Sequence, residues 1–286
     1  MIDFYPVRCD EAAYSEYTAL FAKCFPTTKK YSRDYLDWLY RCNPDGQVVG
    51  FDARDGDRLV AHYVCIPALA QVNGQQVRVL LSLNTATHPD YQGKGLFTQL
   101  AERTYEAGAT LGYDCVYGVA NGNSTPGFIR KLNFQLVGPL QAMVGVGALG
   151  IDLNRLEGLQ FRRSWSSDAL AWRCASPVGR VAVQAKDGRK IFLTPALLGG
   201  ACLAIAEFSA ASIATDLVET KGSLTSPLKL FIGLIPPVAR RFSLYIDIPQ
   251  ALRPSPLNLI YRSLSGRTKS IDMDSVFFSF LDFDAY

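Results

Sequence analysis

The first forty residues alternate apolar and polar positions at the spacing of an α-helix. In "DEAAYSEYTALFAKCF", Tyr17, Leu20 and Phe21 fall near one face, and Asp10 stands where an N-cap is expected. In "SRDYLDWLYRC", apolar residues recur at the same spacing behind a serine that suits a second cap. The pattern therefore predicts two amphipathic helices between residues 11 and 41.

The pattern then changes to that of β-strands. "QVVGFDA", "RLVAHYVCIPAL" and "QVRVLLSLNTAT" are three apolar runs separated by turn signals. The second turn contains Asn73-Gly74, the strongest short signal for a β-hairpin. The runs predict a three-stranded antiparallel meander. After Gly95 the spacing is helical again, and "DCVYGVA" then predicts a further short strand.

The junction between the third strand and the next helix reads "HPDYQGKGLF". Gly93 and Gly95 flank Lys94 at the predicted start of the helix. The first turn of a helix leaves backbone N–H groups unpaired and carries positive potential, and glycines let an anion come close to those groups. The segment predicts a diphosphate site, and a tight turn without a ligand is the alternative.

The spacing of these glycines indicates which of the known phosphate-binding motifs the segment can match. The P-loop pattern GxxxxGK[ST] is absent, and an antiparallel meander before the glycines does not fit a dinucleotide fold. "HPDYQGKGLF" resembles the Gln-x-x-Gly-x-Gly/Ala signature of the GNAT superfamily of acyl-CoA-dependent N-acyltransferases. "ANGNSTPGFIRKLNF" resembles the second half-motif of that family. The order of predicted elements agrees, so the resemblance covers roughly residues 1 to 145.

The resemblance implies which residues hold coenzyme A. The backbone amides of the glycine loop and the Gln92 side chain hold the diphosphate. The end of the third strand pairs with the pantetheine arm, and Asn121 and Ser124 lie on its other side. At Phe97 the family prefers Gly or Ala, and this ring is expected to pack toward the core. The predicted cofactor-binding residues are Ala86, Thr87, Gln92, Gly93, Lys94, Gly95, Leu96, Phe97, Asn121 and Ser124.

The chain departs from the family where catalysis is expected. Phe128 or Ile129 fills the slot in which many members carry a tyrosine that protonates the departing thiolate, and the third strand has no carboxylate. The predicted catalytic residues are therefore His62, Tyr117 and Asn84. An imidazole titrates near neutral pH and suits a general base, whereas an amide can position substrate or water, as can the nearby Ser82 hydroxyl. A structural histidine and a core tyrosine are the alternatives for the first two.

The second half of the chain repeats features of the first. "AKDG" at 185–188 repeats "ARDG" at 53–56, and Arg173-Cys174 repeats Arg41-Cys42 at the same offset. The glycine motif is missing, because "VETKGSLTSPLKLFIG" stands where it would occur. The second half is therefore expected to pack against the first and extend the acceptor cleft without binding coenzyme A.

The repeat predicts the fold class and the domains. We expect an α/β (α+β) protein with two GNAT-like domains, each a mixed, mostly antiparallel sheet flanked by helices. Residues 1–148 form the domain with the intact acyl-CoA motif, and residues 149–286 form the degenerate one. The last segment, "SVFFSFLDFDAY", predicts a final strand, with Asp282 and Asp284 either solvated at the terminus or able to reach the cleft.

Composition limits the classes of protein to which the chain can belong. With 49% apolar and 19% charged residues the chain is a folded protein, and a net charge of +3 without a basic run gives no support for a nucleic-acid partner. Seven cysteines without a CxxC pair indicate a reducing compartment. There is no signal-peptide pattern, and no apolar stretch is unbroken enough for a membrane span. We expect a cytoplasmic bacterial protein, monomeric or homodimeric, without a metal site.

The predicted function is acyl-CoA-dependent N-acyl transfer, with acetyl-CoA as donor and a small amine as acceptor. The degenerate tandem arrangement resembles acyltransferases of bacterial surface-sugar biosynthesis, which points to a nucleotide-linked amino sugar as acceptor. Two alternatives stay open. One is a non-enzymatic acyl-CoA-binding protein. The other is a transferase of the same fold that uses aminoacyl-tRNA, against which the intact motif and the lack of a basic face argue.

Overall fold

The structure, a computed structural model, describes residues 1–210, 224–253 and 255–284. These residues form five α-helices and fifteen β-strands. The helices are α1 (Glu11–Cys24), α2 (Arg33–Tyr40), α3 (Leu96–Thr110), α4 (Thr125–Lys131) and α5 (Ser167–Cys174). The strands are β1 (Ile2–Pro6), β2 (Val49–Asp55), β3 (Arg58–Val72), β4 (Gln75–Thr87), β5 (Cys115–Ala120), β6 (Gln135–Pro139), β7 (Gln141–Val146), β8 (Phe161–Ser164), β9 (Ala182–Lys186), β10 (Arg189–Leu197), β11 (Cys202–Ser209), β12 (Leu228–Gly233), β13 (Leu244–Asp247), β14 (Asn258–Ser263) and β15 (Val276–Phe277). The predicted mixed α/β class, with two sheets flanked by helices, is confirmed.

The two N-terminal helices begin at the predicted caps. The Asp10 carboxylate accepts a hydrogen bond from the amide of Ala13 at 2.8 Å, and the Ser32 hydroxyl accepts one from the amide of Tyr35 at 3.2 Å. Each cap satisfies an amide that the first turn leaves without a main-chain acceptor. Phe21 on the apolar face of α1 is fully buried in the main core. The caps thus fix where the helices start, and the apolar faces fix how they pack.

The first sheet has the central strand order β1-β2-β3-β4-β5-β14-β6, with β8 on the far end of β3 and β15 on β8. β2, β3 and β4 form the predicted antiparallel meander, whereas β4 and β5 run parallel. The parallel pairing ends at Ser82 and Gly118, although β4 continues to Thr87. A gap therefore opens between β4 and β5.

The second sheet repeats this arrangement in the order β9-β10-β11-β12-β7-β13. β9, β10 and β11 form an antiparallel meander, and β11 runs parallel to β12 at only two residue pairs, Leu203 with Lys229 and Ala204 with Leu230. The strand between β12 and β13 is β7, from the first half of the chain, just as β14, from the second half, lies between β5 and β6. The two halves thus exchange a strand. A domain division between residues 148 and 149 stays a prediction.

The C-terminal segment fills the place where β11 and β12 separate. Leu234 and Phe278 exchange two main-chain hydrogen bonds of 2.8 and 3.0 Å, and the turn Phe280–Asp282 contacts both strands. Phe278 and Phe280 are fully buried, and Asp282 is 1% exposed. The predicted final strand is thus reduced to the two residues of β15, and the tail is packed inside the protein rather than solvated.

A pair of tryptophans joins the two halves. The rings of Trp38 in α2 and Trp172 in α5 stack with their centroids 4.7 Å apart. Each indole N–H donates to the main-chain carbonyl of the other tryptophan at 2.9 Å. Both helices begin at a serine cap, Ser32 and Ser166. The contact is reciprocal, as at a two-fold axis.

Candidate functional site

The glycine loop before α3 has the backbone that the sequence predicts. Gly93 has φ of 77° and Gly95, the N-cap of α3, has φ of 73°, a left-handed conformation that side chains other than glycine adopt at a cost. A Cβ atom on Gly93 would meet no atom within 4 Å, so the space beside the loop is open. The first hydrogen bond of the helix runs from the amide of Gln99 to the carbonyl of Gly95. The amides of Leu96 and Phe97 therefore face the open loop, where an anion can bind.

Positive charge lies beside this loop. The Lys94 ammonium is 4.3 Å from the centroid of the Tyr91 ring, and the Tyr91 hydroxyl donates to Asp55 at 2.7 Å. The Arg58 guanidinium approaches the Nε2 atom of His88 to 2.6 Å. Helix dipole, amides and these cations together favour a diphosphate group.

A cavity of about 520 Å³ lies in the gap between β4 and β5. Four residues predicted from the sequence line it: Asn84, Phe97, Asn121 and Ser124. Beyond Ser82 the edge of β4 that faces β5 has no strand partner, so its peptide groups are available to an extended ligand.

The remaining predicted coenzyme A residues take up positions around this edge. Ala86 is buried and pairs with His62 on β3, and the carbonyl of Thr87 accepts from Gln92 Nε2 at 3.5 Å. Leu96 is also buried, so only its amide is available to a ligand. These residues lie at the end of β4 and at the start of α3, on either side of the glycine loop.

Asn121 shapes the far wall of the cavity. Its side-chain oxygen accepts from the amides of Asn123 and Ser124, both at 3.0 Å, which fixes the turn that leads into α4. The ring of Phe97 packs edge-on against Phe128, with centroids 5.2 Å apart. Phe97 therefore supports α4 and also forms part of the cavity wall.

His62 is held inside the core. Its Nδ1 atom lies 2.7 Å from Asp52 Oδ1, and its Nε2 atom lies 2.9 Å from the Tyr40 hydroxyl. The Tyr40 hydroxyl accepts from the Asn84 amide at 3.1 Å. Asn84 has φ of 46° and occupies the bulge of β4, at the cavity. A buried polar chain thus runs from Asp52 through His62 to Asn84, and Asn84 is its member at the cavity.

Tyr117 is also inside the core. It is fully buried, and its hydroxyl donates to the main-chain carbonyl of Asp282 at 3.1 Å. Burial raises the pKa of this phenol well above its usual range. The hydroxyl is thus engaged with the tail segment, as expected of a structural tyrosine.

Ser82 presents a hydroxyl at the point where β4 and β5 separate. Its Oγ atom is 2.7 Å from the Tyr63 hydroxyl, which is 2.7 Å from the Tyr105 hydroxyl. Tyr63 and Tyr105 are buried, whereas Ser82 lines the cavity. Sequence reasoning singled out Ser82 but missed the two tyrosines behind it, because they come from β3 and α3 and meet only in the fold.

Asp284 brings a carboxylate to the same place. It lines a second cavity, of about 290 Å³, whose wall shares Ser82 with the first cavity. Its side chain is 5% exposed, forms an ion pair with Lys30, accepts from the Tyr35 hydroxyl and lies 3.9 Å from Arg173. Its Oδ1 atom is buried and accepts no hydrogen bond within the described part of the chain. The Asp284 carboxylate thus lines the cavity, and its Oδ1 atom has only the Arg173 guanidinium, 3.9 Å away, as a charged neighbour among these contacts.

Residues 7–137 match the family model of the acetyltransferase (GNAT) domain. The chain carries a GNAT acetyltransferase domain. The predicted resemblance is confirmed over these residues, and the protein is an N-acyltransferase. GNAT domains generally use acetyl-CoA as the acyl donor. A comparison with curated protein sequences finds no match.

Solved structures share the fold across nearly the whole chain. A GCN5-related N-acetyltransferase from Anabaena variabilis has 11% identity and a TM-score of 0.59 over 92% of this chain and 73% of its own. A conserved protein of unknown function from Enterococcus faecalis, a probable N-acyltransferase, has 10% identity and a TM-score of 0.57 over 93% and 73%. Eis1 from Mycobacterium abscessus has 8% identity and a TM-score of 0.56 over 92% and 74%. At these identities the likeness concerns the fold.

Three further features of the described residues bear on the predictions. None of their helices is long and apolar enough to cross a membrane. They contain no group of three or more His, Cys, Asp or Glu side chains arranged to hold a metal ion. All seven cysteines are free, and burial raises the pKa of Cys65 to about 12.

The segment expected to replace the glycine motif in the second half, 218–233, lies partly outside the described residues.

Proposed function

We propose that this GNAT protein transfers the acetyl group of acetyl-CoA to a small amine in the gap between β4 and β5. The observation that carries the proposal is that one cavity is lined both by residues of β4 beyond its pairing with β5 and by Phe97, in the first turn of the helix that follows the open glycine loop. The diphosphate would bind the amides from Gly93 to Phe97, with Lys94 and Gln92 beside them. The pantetheine arm would extend along the free edge of β4, which brings the thioester to Ser82.

We assign the chemistry to Asp284 and Ser82. The amine nitrogen attacks the thioester carbon, so that a C–N bond forms and the C–S bond breaks. Asp284 holds the amine and takes its proton, because its carboxylate lines the cavity next to the gap and one of its oxygens accepts no hydrogen bond within the described residues. The Ser82 hydroxyl, supported by the Tyr63 and Tyr105 hydroxyls behind it, donates a hydrogen bond to the departing thiolate, and the proton held by Asp284 balances the charge of that thiolate.

The residues predicted to be catalytic receive other roles in this proposal. Asn84 positions the thioester carbonyl or a water from the bulge of β4. His62 keeps Tyr40 and, through it, Asn84 in place, because both of its ring nitrogens are engaged in the core. Tyr117 holds the tail that carries Asp284, through its bond to the main chain of Asp282.

We also propose that the chain arose by duplication, with residues 149–286 as a degenerate GNAT-like copy of residues 1–148. The repeated meander, the parallel pair that follows it and the exchange of β7 for β14 support this interpretation. The reciprocal tryptophan contact between α2 and α5 supports it as well. The second copy would not bind coenzyme A in its own gap, since the tail fills the place where β11 and β12 separate.

The sequence predicts only the chemical class of the acceptor. A nucleotide-linked amino sugar stays the prediction that the family resemblance supplies. The aromatic residues of α2 are buried and do not offer a surface to an acceptor: Tyr35, Trp38 and Tyr40. Asp284 supplies a carboxylate for the amino group of any such acceptor, whatever the rest of the molecule is.

The test is release of free coenzyme A from acetyl-CoA in the presence of amines. The panel contains amino sugars, nucleotide-linked amino sugars, amino acids and alkylamines. With a productive amine, Asp284→Asn and Ser82→Ala should each lower kcat by about tenfold to a hundredfold, with acetyl-CoA affinity within about twofold of wild type. Asp247→Asn is the matched control, because Asp247 is an exposed carboxylate on β13.

Three results would contradict the proposal. Full kcat in Asp284→Asn would remove the carboxylate from the chemistry. Tight binding of acetyl-CoA without thiol release for any amine would instead favour the acyl-CoA-binding alternative. Failure of a folded protein to bind acetyl-CoA at all would direct attention to aminoacyl-tRNA as donor.

A further inference from the structure

A third cavity, of about 380 Å³, lies between the two sheets and is mainly apolar. Its aliphatic lining comes from β7, β12 and the segment that precedes β14, and includes Ala142, Leu230, Ile232 and Leu257. Arg253 also contributes to the wall, but its guanidinium donates to two main-chain carbonyls and to the Asp247 carboxylate. The wall therefore offers hydrocarbon contact rather than a free charge.

The apolar cavity continues the acyl-transfer cleft. Ile232 and Leu257 line both this cavity and the one that contains Asp284. The Asp284 cavity in turn shares Ser82, Leu83 and Val119 with the coenzyme A cleft. Three neighbouring cavities, each sharing wall residues with the next, thus extend from the gap between β4 and β5 to an aliphatic end.

We propose that the apolar cavity holds the hydrocarbon chain of an acyl-CoA donor longer than acetyl-CoA. The inference rests on the proposed function, because that function places the thioester in the gap. A chain attached to the thioester carbon would pass Leu83 and Val119 and enter the cavity beside Ile232. The amine would meet the thioester from the side of Asp284.

The lining distinguishes a hydrocarbon chain from a polar acceptor. A sugar placed among Leu230, Ile232 and Leu257 would lose its bonds to water without recovering them, which is unfavourable. Each methylene moved from water into such a wall favours binding by about fourfold. One acceptor in the wall, Gln141 Oε1, is buried without a donor in the described residues, and a polar atom of the ligand or a water would meet it.

The placement gives the second half of the chain a role in the reaction. β12 belongs to the second sheet, and β7 reaches that sheet only because of the strand exchange. The donor would thus bind coenzyme A on the first sheet and its acyl chain on the second. Residues remote from the GNAT motif would then determine the length of the acyl chain that the protein accepts on its donor.

The experiment compares coenzyme A, acetyl-CoA, hexanoyl-CoA and decanoyl-CoA by calorimetric titration of the full chain, with thiol release measured in parallel. Decanoyl-CoA should bind wild type at least about tenfold more tightly than acetyl-CoA. Ala142→Phe fills the cavity and should abolish this gain while acetyl-CoA still binds. Val146→Phe is the control, because Val146 is an exposed residue of the same strand. Ala196→Phe fills the cavity from β10 and serves if Ala142→Phe does not fold.

The outcomes separate this inference from the function on which it rests. If wild type binds acetyl-CoA and decanoyl-CoA equally, or if the filled variants keep the gain, the acyl-chain assignment is overturned and the acetyl-transfer function stands. If decanoyl-CoA shows no gain but alkylamine acceptors improve with length, the cavity belongs to the acceptor, and the assignment is likewise overturned. If folded wild type binds neither coenzyme A nor acetyl-CoA, the proposed function itself fails.

Discussion

The two sheets have the same strand order around a parallel pair and differ in what occupies the place where that pair separates. In the first sheet β4 and β5 separate after Ser82, and a cavity of about 520 Å³ lies between them. In the second sheet β11 and β12 separate after Ala204, and the tail around Phe278 and Phe280 fills the space. One topology therefore provides a binding site in one half and a packing site in the other.

The comparison teaches that strand order alone does not specify a coenzyme site. The first gap lies beside a fifteen-residue helix that begins at the glycine loop, where the diphosphate is proposed to bind the first amides. The second gap is bordered by buried phenylalanines of the tail, Phe278 and Phe280. The tail connects the two, because after filling the second gap it reaches Asp284, which lines the cavity next to the first gap.

The largest expected effect is the loss of acetyl-CoA affinity when the proposed diphosphate site of the first sheet is blocked. Gly93→Asp combined with Gly95→Asp places two carboxylates where the diphosphate is proposed to bind, on a backbone that favours glycine. Acetyl-CoA affinity should fall about a thousandfold, which corresponds to about 4 kcal/mol. Isothermal titration measures the change.

A matched control separates backbone strain from loss of the site. Gly74 and Gly112 have φ of 77° and 80°, and a Cβ atom on either would meet nothing within 4 Å. Gly74→Asp combined with Gly112→Asp should therefore lower thermal stability by a similar amount and leave acetyl-CoA affinity unchanged. Equal loss of binding in both double variants would mean that the glycine loop is only a turn.

The second largest expected effect is the loss of stability when the tail is displaced from the gap between β11 and β12. A Cβ atom on Gly233 would lie 1.9 Å from the carbonyl oxygen of Phe278, so Gly233→Ala must displace the tail. Unfolding free energy should fall by about 3 kcal/mol, as in an overpacked core. Since the tail carries Asp284, kcat should fall as well, whereas acetyl-CoA affinity should be preserved.

Gly122→Ala is the control for this substitution, since its nearest contact would be an ordinary 3.5 Å to Pro256. Denaturant unfolding and thiol release measure the two effects of Gly233→Ala. A variant that loses stability but keeps full kcat would show that the tail stabilises the second sheet without serving the first site.

The sequence predicted most of the first sheet because its signals are local. Caps such as Asp10 and Ser32, the Asn73-Gly74 turn and the glycines before α3 each act within a few residues of themselves. The predicted boundaries of β3 and β4 agree closely with the structure for the same reason. Periodicity and turn chemistry, together with the family motif, were sufficient there.

The rest depends on contacts between distant parts of the chain, which no local pattern reports. Nothing near β14 predicts that it inserts between β5 and β6, because strand pairing is decided by the whole sheet. Tyr63, Tyr105 and Ser82 form one hydroxyl chain from three different elements. Asp284 looked like a residue of a solvated terminus and is instead buried beside Lys30.

The smallest expected effect is the loss of stability when either indole donor of the tryptophan pair is removed. It tests whether the two halves of the chain contribute equally to this contact. Trp38→Phe and Trp172→Phe each remove one indole donor and keep an aromatic ring in the stack. Each should lower the free energy of unfolding by about 1 kcal/mol, and the two losses should be equal within about 0.5 kcal/mol.

Trp165→Phe provides the contrast, because Trp165 donates to the buried carboxylate of Asp282 at 3.0 Å. Its loss leaves a charged acceptor without that donor and should cost about 2 kcal/mol. Denaturant unfolding of the three variants gives the values. If Trp172→Phe costs twice as much as Trp38→Phe, the two helices do not contribute equally, and the reciprocal contact would no longer support a common origin of α2 and α5.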